Sequence, residues 1–182
     1  MSPFAREPAL KRIFLPDPAL VLLIGPSGAG KSTFAAAHFR PTQIVSSDAL
    51  RAVLTDDAGD QGASAEAFRL LAIIVSGRLR RRLTTVVDAI NLRAVDRRRY
   101  AALAARYGLP TVAIAFDLSL ETYHARNRMR PDRVVATEIL EDQAARMERV
   151  LVELPTEGYM EVRVLDETGQ SRRPGVERQT LP

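Results

Sequence analysis

Apolar residues fall along this chain in two patterns. Short apolar or β-branched runs alternate with longer stretches in which apolar side chains recur every three or four positions. The runs lie at 19–24, 43–47, 84–89, 111–117 and 160–165. Each is too short for a helix, so each predicts a strand, and the near-continuous apolar ones predict a sheet covered on both faces. Between them, residues 65–82 carry Phe68, Leu71, Ala72, Val75 and Leu79 at helical spacing. Helices are also predicted at 30–39, at 94–107 closing on Gly108, at 120–130 stopped by Pro131, and at 132–154 ending before Pro155. Residues 1–18 read as an N-terminal extension, 19–166 as one domain, and 167–182 as a polar, irregular tail.

Strands that alternate with helices from end to end imply parallel strands joined by helical crossovers, an α/β architecture. In such sheets ligands bind beyond the carboxyl ends of the strands. The residues that matter most are therefore Gly25, Ser47, Asp48, the stretch from Asp88 to Asn91, and Asp117.

The first of these positions opens a complete G-x-x-x-x-G-K-[ST] motif: Gly25, Pro26, Ser27, Gly28, Ala29, Gly30, Lys31 and Ser32, with Thr33 following. A strand precedes it and a helix follows, the context that the motif needs. Its backbone N–H groups and the positive end of the helix would cradle phosphates. Lys31 would reach the β- and γ-phosphates of ATP or another NTP, and Ser32 would ligate Mg²⁺. The fold expected is a P-loop NTPase-type sandwich: a mostly parallel five-stranded sheet, helices on both faces, and an Arg-rich helical lid. Asp88 ends an apolar strand, where it can hold the Mg²⁺ or simply cap the next element.

A guanine-specific N-K-x-D segment is absent, which leaves a small kinase as the natural reading. A kinase must remove a proton from its hydroxyl acceptor. Asp48, just past the second strand, is the candidate base, although the same position suits a helix N-cap. Ser47 and Arg51 flank it, and Arg51 could grip an acceptor phosphate. Arg126 and Arg130 lie four apart on one helix, with Arg133 past Pro131. These three arginines read either as a lid that folds over the phosphates or as a solvated basic face. His38 and His124 have no metal-ligand spacing, and His38 reads as a helix-face residue. Arg97, Arg98 and Arg99 stand near a helix start, where cations are unfavourable, so something other than the dipole must account for them.

Composition narrows the class further. With no cysteine in 182 residues, disulfides, thiolate metal sites and a Cys nucleophile are excluded, and a cytoplasmic home is expected. Residues 1–18 are too rich in proline and charge for a signal peptide, and no run is long enough to span a membrane. The formal net charge of +4, carried almost entirely by arginine, suits a polyanionic partner.

Four separate segments resemble the kinase domain of bacterial polynucleotide kinase-phosphatase, an RNA-repair enzyme. They are Leu23 through Phe34; Val45-Ser46-Ser47-Asp48-Ala49-Leu50-Arg51 with Asp56-Asp57 and Asp60-Gln61 beyond it; Thr85-Val86-Val87-Asp88-Ala89-Ile90-Asn91; and Arg126-Asn127-Arg128-Met129-Arg130-Pro131-Asp132-Arg133. The resemblance implies transfer of the γ-phosphate of an NTP to a 5′-OH end of RNA or DNA. It makes Asp48 the general base and puts Ser47, Arg51, Gln61 and Asn91 on the acceptor. Arg126, Arg130 and Arg133 fall at lid positions beside the nucleotide, Arg126 on its phosphates. It further implies phosphatase or ligase repair partners in the same or another chain, whereas this sequence stops after the kinase-sized region. It departs from the family in Ala89-Ile90-Asn91, where a Thr before Asn is expected. Two other readings keep the phosphate loop: a small-molecule or toxin-type kinase, and a nucleotide-gated binding module without transfer.

Overall fold

The computed structural model describes residues 15–129, 135–167 and 171–172. In chain order it contains β1 (Leu20–Ile24), α1 (Lys31–His38), β2 (Ile44–Ser46), α2 (Ser47–Thr55), α3 (Ser64–Arg80), β3 (Thr85–Asp88), α4 (Ala94–Arg106), β4 (Thr111–Phe116), α5 (Leu120–Arg128), α6 (Thr137–Glu153), β5 (Glu161–Leu165) and β6 (Ser171–Arg172). The strands form one sheet in the order β2-β3-β1-β4-β5-β6. The first five are mutually parallel, and β6 is antiparallel to β5. The stretch read as an irregular tail thus contributes a short sixth strand.

The all-apolar β1 explains why the sheet is buried on both sides. Its side chains alternate between two cores: Leu20, Leu22 and Ile24 pack with α3, α4 and α6, while Val21 and Leu23 pack with α1 and α5. In α3, Leu71, Val75 and Leu79 repeat every four residues on the face turned to the sheet, and all three are fully buried. Truncating one of them to Ala would cost about 2–5 kcal/mol.

Helix α2 covers residues that the apolar pattern alone did not mark as helical. Its start is fixed by Ser46, whose side chain accepts from Ala49 N, and its end by Asp56 in the left-handed region at φ 58°. Asp48 therefore lies in the first turn of this helix, and Ser46 is the cap.

The strand order places the chemistry. From β1 the chain runs to one side of the sheet (β3, β2) and later to the other (β4, β5), so the crevice at the head of β1 is a switch point. Gly25 N donates to Ile90 O at 3.0 Å, which ties the exit of β1 to the exit of β3. Among the described residues, no helix is long and apolar enough to cross a membrane.

Candidate active site

The loop from Gly25 to Ser32 leaves β1 and enters α1. Gly28 and Gly30 hold left-handed backbone angles, φ 77° and 94°, that L side chains rarely adopt. Gly25 is needed for space: a Cβ there would lie 3.2 Å from Phe116 Cβ and 3.3 Å from Phe116 O. The Lys31 ammonium is buried and donates to Gly25 O at 2.8 Å and Pro26 O at 2.7 Å. Lys31 is thereby held over the first half of the loop.

Ser32 and Asp88 converge from α1 and β3, with Ser32 Oγ donating to Asp88 Oδ2 at 2.7 Å. Both are hard oxygen ligands, the kind that Mg²⁺ takes in nucleotide sites, where one or two protein oxygens join the substrate phosphates. No group of three or more His, Cys, Asp or Glu among the described residues could hold a metal by itself. Two such oxygens fit an ion whose other ligands are substrate phosphates and water.

A cleft of roughly 920 Å³ runs over the loop. Its walls bring together Ser27 through Thr33, Ser47, Asp48, Arg51, Gln61, Asp88 and Arg126, residues drawn from five separate stretches of sequence. Asp48 Oδ1 accepts from Arg51 Nη2 and, at 3.3 Å, from Ser47 Oγ. Arg51 is only 4% exposed, and its Nε donates to Ala58 O at 2.9 Å. Its guanidinium, expected to grip an acceptor phosphate, is thus engaged in orienting Asp48 and holding the loop after α2. Gln61 is exposed on the rim, its amide donating to Gly59 O at 3.2 Å.

Arg126 reaches the loop from the last turn of α5, with Nη1 donating to Ala29 O at 3.1 Å. Helix α5 lies close against Gly28, where an added Cβ would meet Asn127 N at 3.7 Å and Tyr123 O at 3.8 Å. Burial pushes the Tyr123 phenol up to about 12; its hydroxyl donates to Phe116 O at 2.8 Å and accepts from Leu118 N at 3.1 Å. Arg130 and Arg133 lie outside the described residues. His38 lines the cleft beside Phe34, at 4.4 Å between ring centroids.

Asn91 departs from its expected acceptor role. It is buried at φ 49° and does not line the cleft; its Nδ2 donates to Leu23 O at 2.7 Å and to Ala89 O at 3.4 Å. It braces the two strands that carry the phosphate loop and Asp88. Gly25 likewise shapes the loop from behind and is not on the cleft wall.

Sequence reasoning missed the roles of two residues, Gln143, which carries no signal, and Arg97, marked only by its unfavourable place at a helix start. Gln143 on α6 accepts from Ser27 N at 2.8 Å through Oε1, so α6 touches the phosphate loop directly. Arg97 on α4 is fully buried and uses every donor of its guanidinium. Nη1 donates to Asn91 O and Leu92 O, Nη2 to Glu153 and Glu157, and Nε to Glu157. Burial alone would lower its pKa, but the hydrogen bonds and charge of Glu157, together with Glu153, outweigh that and raise it. This node explains one of the three arginines at the unfavourable helix end: it links the segment after Asp88 to the end of α6.

A family model described as AAA domain matches residues 20–154. No curated protein matches the sequence. Among solved structures, the chain is similar to one from the Pnkp1/Rnl/Hen1 RNA repair complex, with 17% identity and a TM-score of 0.64, over 91% of this chain and 51% of that one. It is similar to one from the PezAT chromosomal toxin-antitoxin system of Streptococcus pneumoniae, with 16% identity and a TM-score of 0.63, over 85% of this chain and 69% of that one. A third, from the AvrRxo1-ORF1:-ORF2 structure with ATP, has 20% identity and a TM-score of 0.59, over 86% of this chain and 57% of that one. At such identities the likeness is one of fold.

Proposed function

The chain belongs to the AAA-domain family, matched over residues 20–154, and on that premise we propose that it is an ATP-dependent kinase that phosphorylates the 5′-hydroxyl end of RNA or DNA. The observation that carries this reading is the presence of Asp48, oriented by Arg51, in one cleft with the phosphate loop. A binding module would need the loop but no carboxylate aligned beside it.

ATP is the donor, lying along the loop with its terminal phosphate toward Asp48. The attacking 5′-oxygen gives its proton to the Asp48 carboxylate as its bond to the γ-phosphorus forms and the bond to the β-phosphate oxygen breaks. Lys31 leaves the carbonyls of Gly25 and Pro26 for the β- and γ-phosphates. Arg126 adds a second cation over the same groups. Ser32 and Asp88 fit Mg²⁺, which when bound supplies positive charge that neutralises the transferring phosphates. Arg51 holds the base in register and closes the acceptor end.

The choice of a nucleic-acid end as acceptor is supported by the Ser47-Asp48-Arg51 segment with Gln61 downstream, by the net charge of +4, and by a fold shared with a chain of an RNA repair complex. Such an activity implies a phosphatase and a ligase as partners in repair. The test is transfer of labelled γ-phosphate from ATP to RNA and DNA oligonucleotides with a 5′-OH, beside 5′-phosphorylated controls and a panel of sugars and nucleosides. Label on the 5′-OH ends alone supports the proposal. Label on a small alcohol in preference to the oligonucleotides overturns it in favour of a small-molecule kinase.

A further inference from the structure

One side chain enters the cleft from α6 with no part in the machinery described so far. Gln143 lines the same cleft as the phosphate loop, and its Oε1 accepts from Ser27 N at 2.8 Å. A backbone N–H can only donate, so the atom that faces it must be the carboxamide oxygen. That fixes the other end of the amide. Its Nε2 keeps two N–H donors, which meet no partner among the described residues.

The position on the loop gives these donors a target. Ser27 is the third residue of the phosphate motif, and the Lys31 ammonium rests on the carbonyls of the two residues before it. The cation that serves the β- and γ-phosphates and the Gln143 amide therefore flank the same half of the loop, while Arg126 reaches the other half at Ala29 O. A neutral amide suits that place: its oxygen satisfies the loop, and its nitrogen can donate to an anion without adding charge.

We propose that Gln143 is a γ-phosphate contact, pinned by Ser27 N on one side and donating to the terminal phosphate of the donor on the other. It lets the site separate a nucleoside triphosphate from the diphosphate product. The inference rests on the phosphate-loop part of the proposed function and not on the acceptor.

The experiment is calorimetric binding of Mg·ATP and Mg·ADP to the full chain, to Gln143→Ala and to Gln143→Glu, each checked for an unchanged thermal melt. Gln143→Glu keeps an oxygen for Ser27 N but replaces the donor with a negative charge. Loss of the contact should lower ATP affinity roughly tenfold or more in both variants, further in Gln143→Glu, with ADP affinity within about twofold of wild type. Equal weakening of ATP and ADP, or wild-type binding by Gln143→Glu, would overturn the inference and leave Gln143 as a prop for the loop. If the wild-type chain bound neither nucleotide, both this inference and the phosphate-loop reading beneath it would fall. No acceptor is present in the measurement, so a failure of the 5′-hydroxyl proposal is read separately.

Discussion

Ser32 Oγ and Asp88 Oδ2 stand 2.7 Å apart at the head of the sheet, although 56 residues separate them in sequence. The parallel register that pairs Leu23 with Asp88 puts the two strand ends level, so the first residues of α1 face the carboxylate. Asp88→Asn keeps the shape and one acceptor oxygen but removes the charge. Phosphate transfer is expected to fall roughly 10²-fold or more, with the half-saturating Mg²⁺ concentration raised. Unchanged Mg²⁺ dependence in this variant would argue that Asp88 only caps the strand.

Arg51 offers a second test. It links Asp48 to Ala58 O from a buried position, so Arg51→Lys retains the charge and loses the two-pronged geometry. We expect kcat to fall roughly 10- to 100-fold while the KM for ATP stays within about twofold. A change confined to the ATP KM would remove Arg51 from the acceptor side of the site.

Arg97 is the test of stability. Arg97→Met leaves Glu157, whose side chain is 4% exposed, without its cation. Breaking a buried pair in this way costs about 3–5 kcal/mol. Urea unfolding should report that loss, and a loss under about 1 kcal/mol would mean that the node contributes little.

Alkaline pH supplies a fourth. Burial raises the phenols of Tyr100 and Tyr123 from 10 to about 12. The unfolded chain then releases these protons first, so stability is intact below pH 10 and falls as pH rises from about 10 to 12. The loss is at most roughly 2–3 kcal/mol for each tyrosine. Tyr123→Phe should flatten the fall by about one proton in chemical or thermal unfolding between those pH values. An unchanged slope would place the Tyr123 hydroxyl in contact with water.

How far the sequence could be read follows from where each signal lives. The phosphate loop and the strands were readable because both are local: a fixed spacing in one case, an unbroken apolar run such as β1 in the other. Helix α2 was harder, because its nine residues give only about two and a half turns of pattern and its end depends on a left-handed Asp56. The resemblance put Asn91 on the acceptor, yet its amide is needed by Leu23 O. Gln143 had no local signal, and Arg97 had only its unfavourable place at a helix start, which does not name its partners. The carboxylates that pair with Arg97 lie 56 and 60 residues away and the backbone N–H that Gln143 accepts from lies 116 away, and only the packing of α4 and α6 on the sheet brings them together. Asp48 as the base was read from its place after the second strand, the 5′-hydroxyl acceptor only from the resemblance of the Ser47–Arg51 segment, and the pairing of Arg51 with Asp48 came only with the fold.

The central claim is that Asp48 is the base of a phosphotransfer reaction. The direct test is Asp48→Asn beside wild type, with kcat for transfer to a 5′-OH oligonucleotide and Kd for Mg·ATP measured on the same preparations. The account predicts a loss of roughly 10²–10⁴-fold in kcat and an ATP Kd within about twofold of wild type. Transfer that persists at the wild-type rate in Asp48→Asn would contradict it, and would move the search for the base to another wall of the cleft.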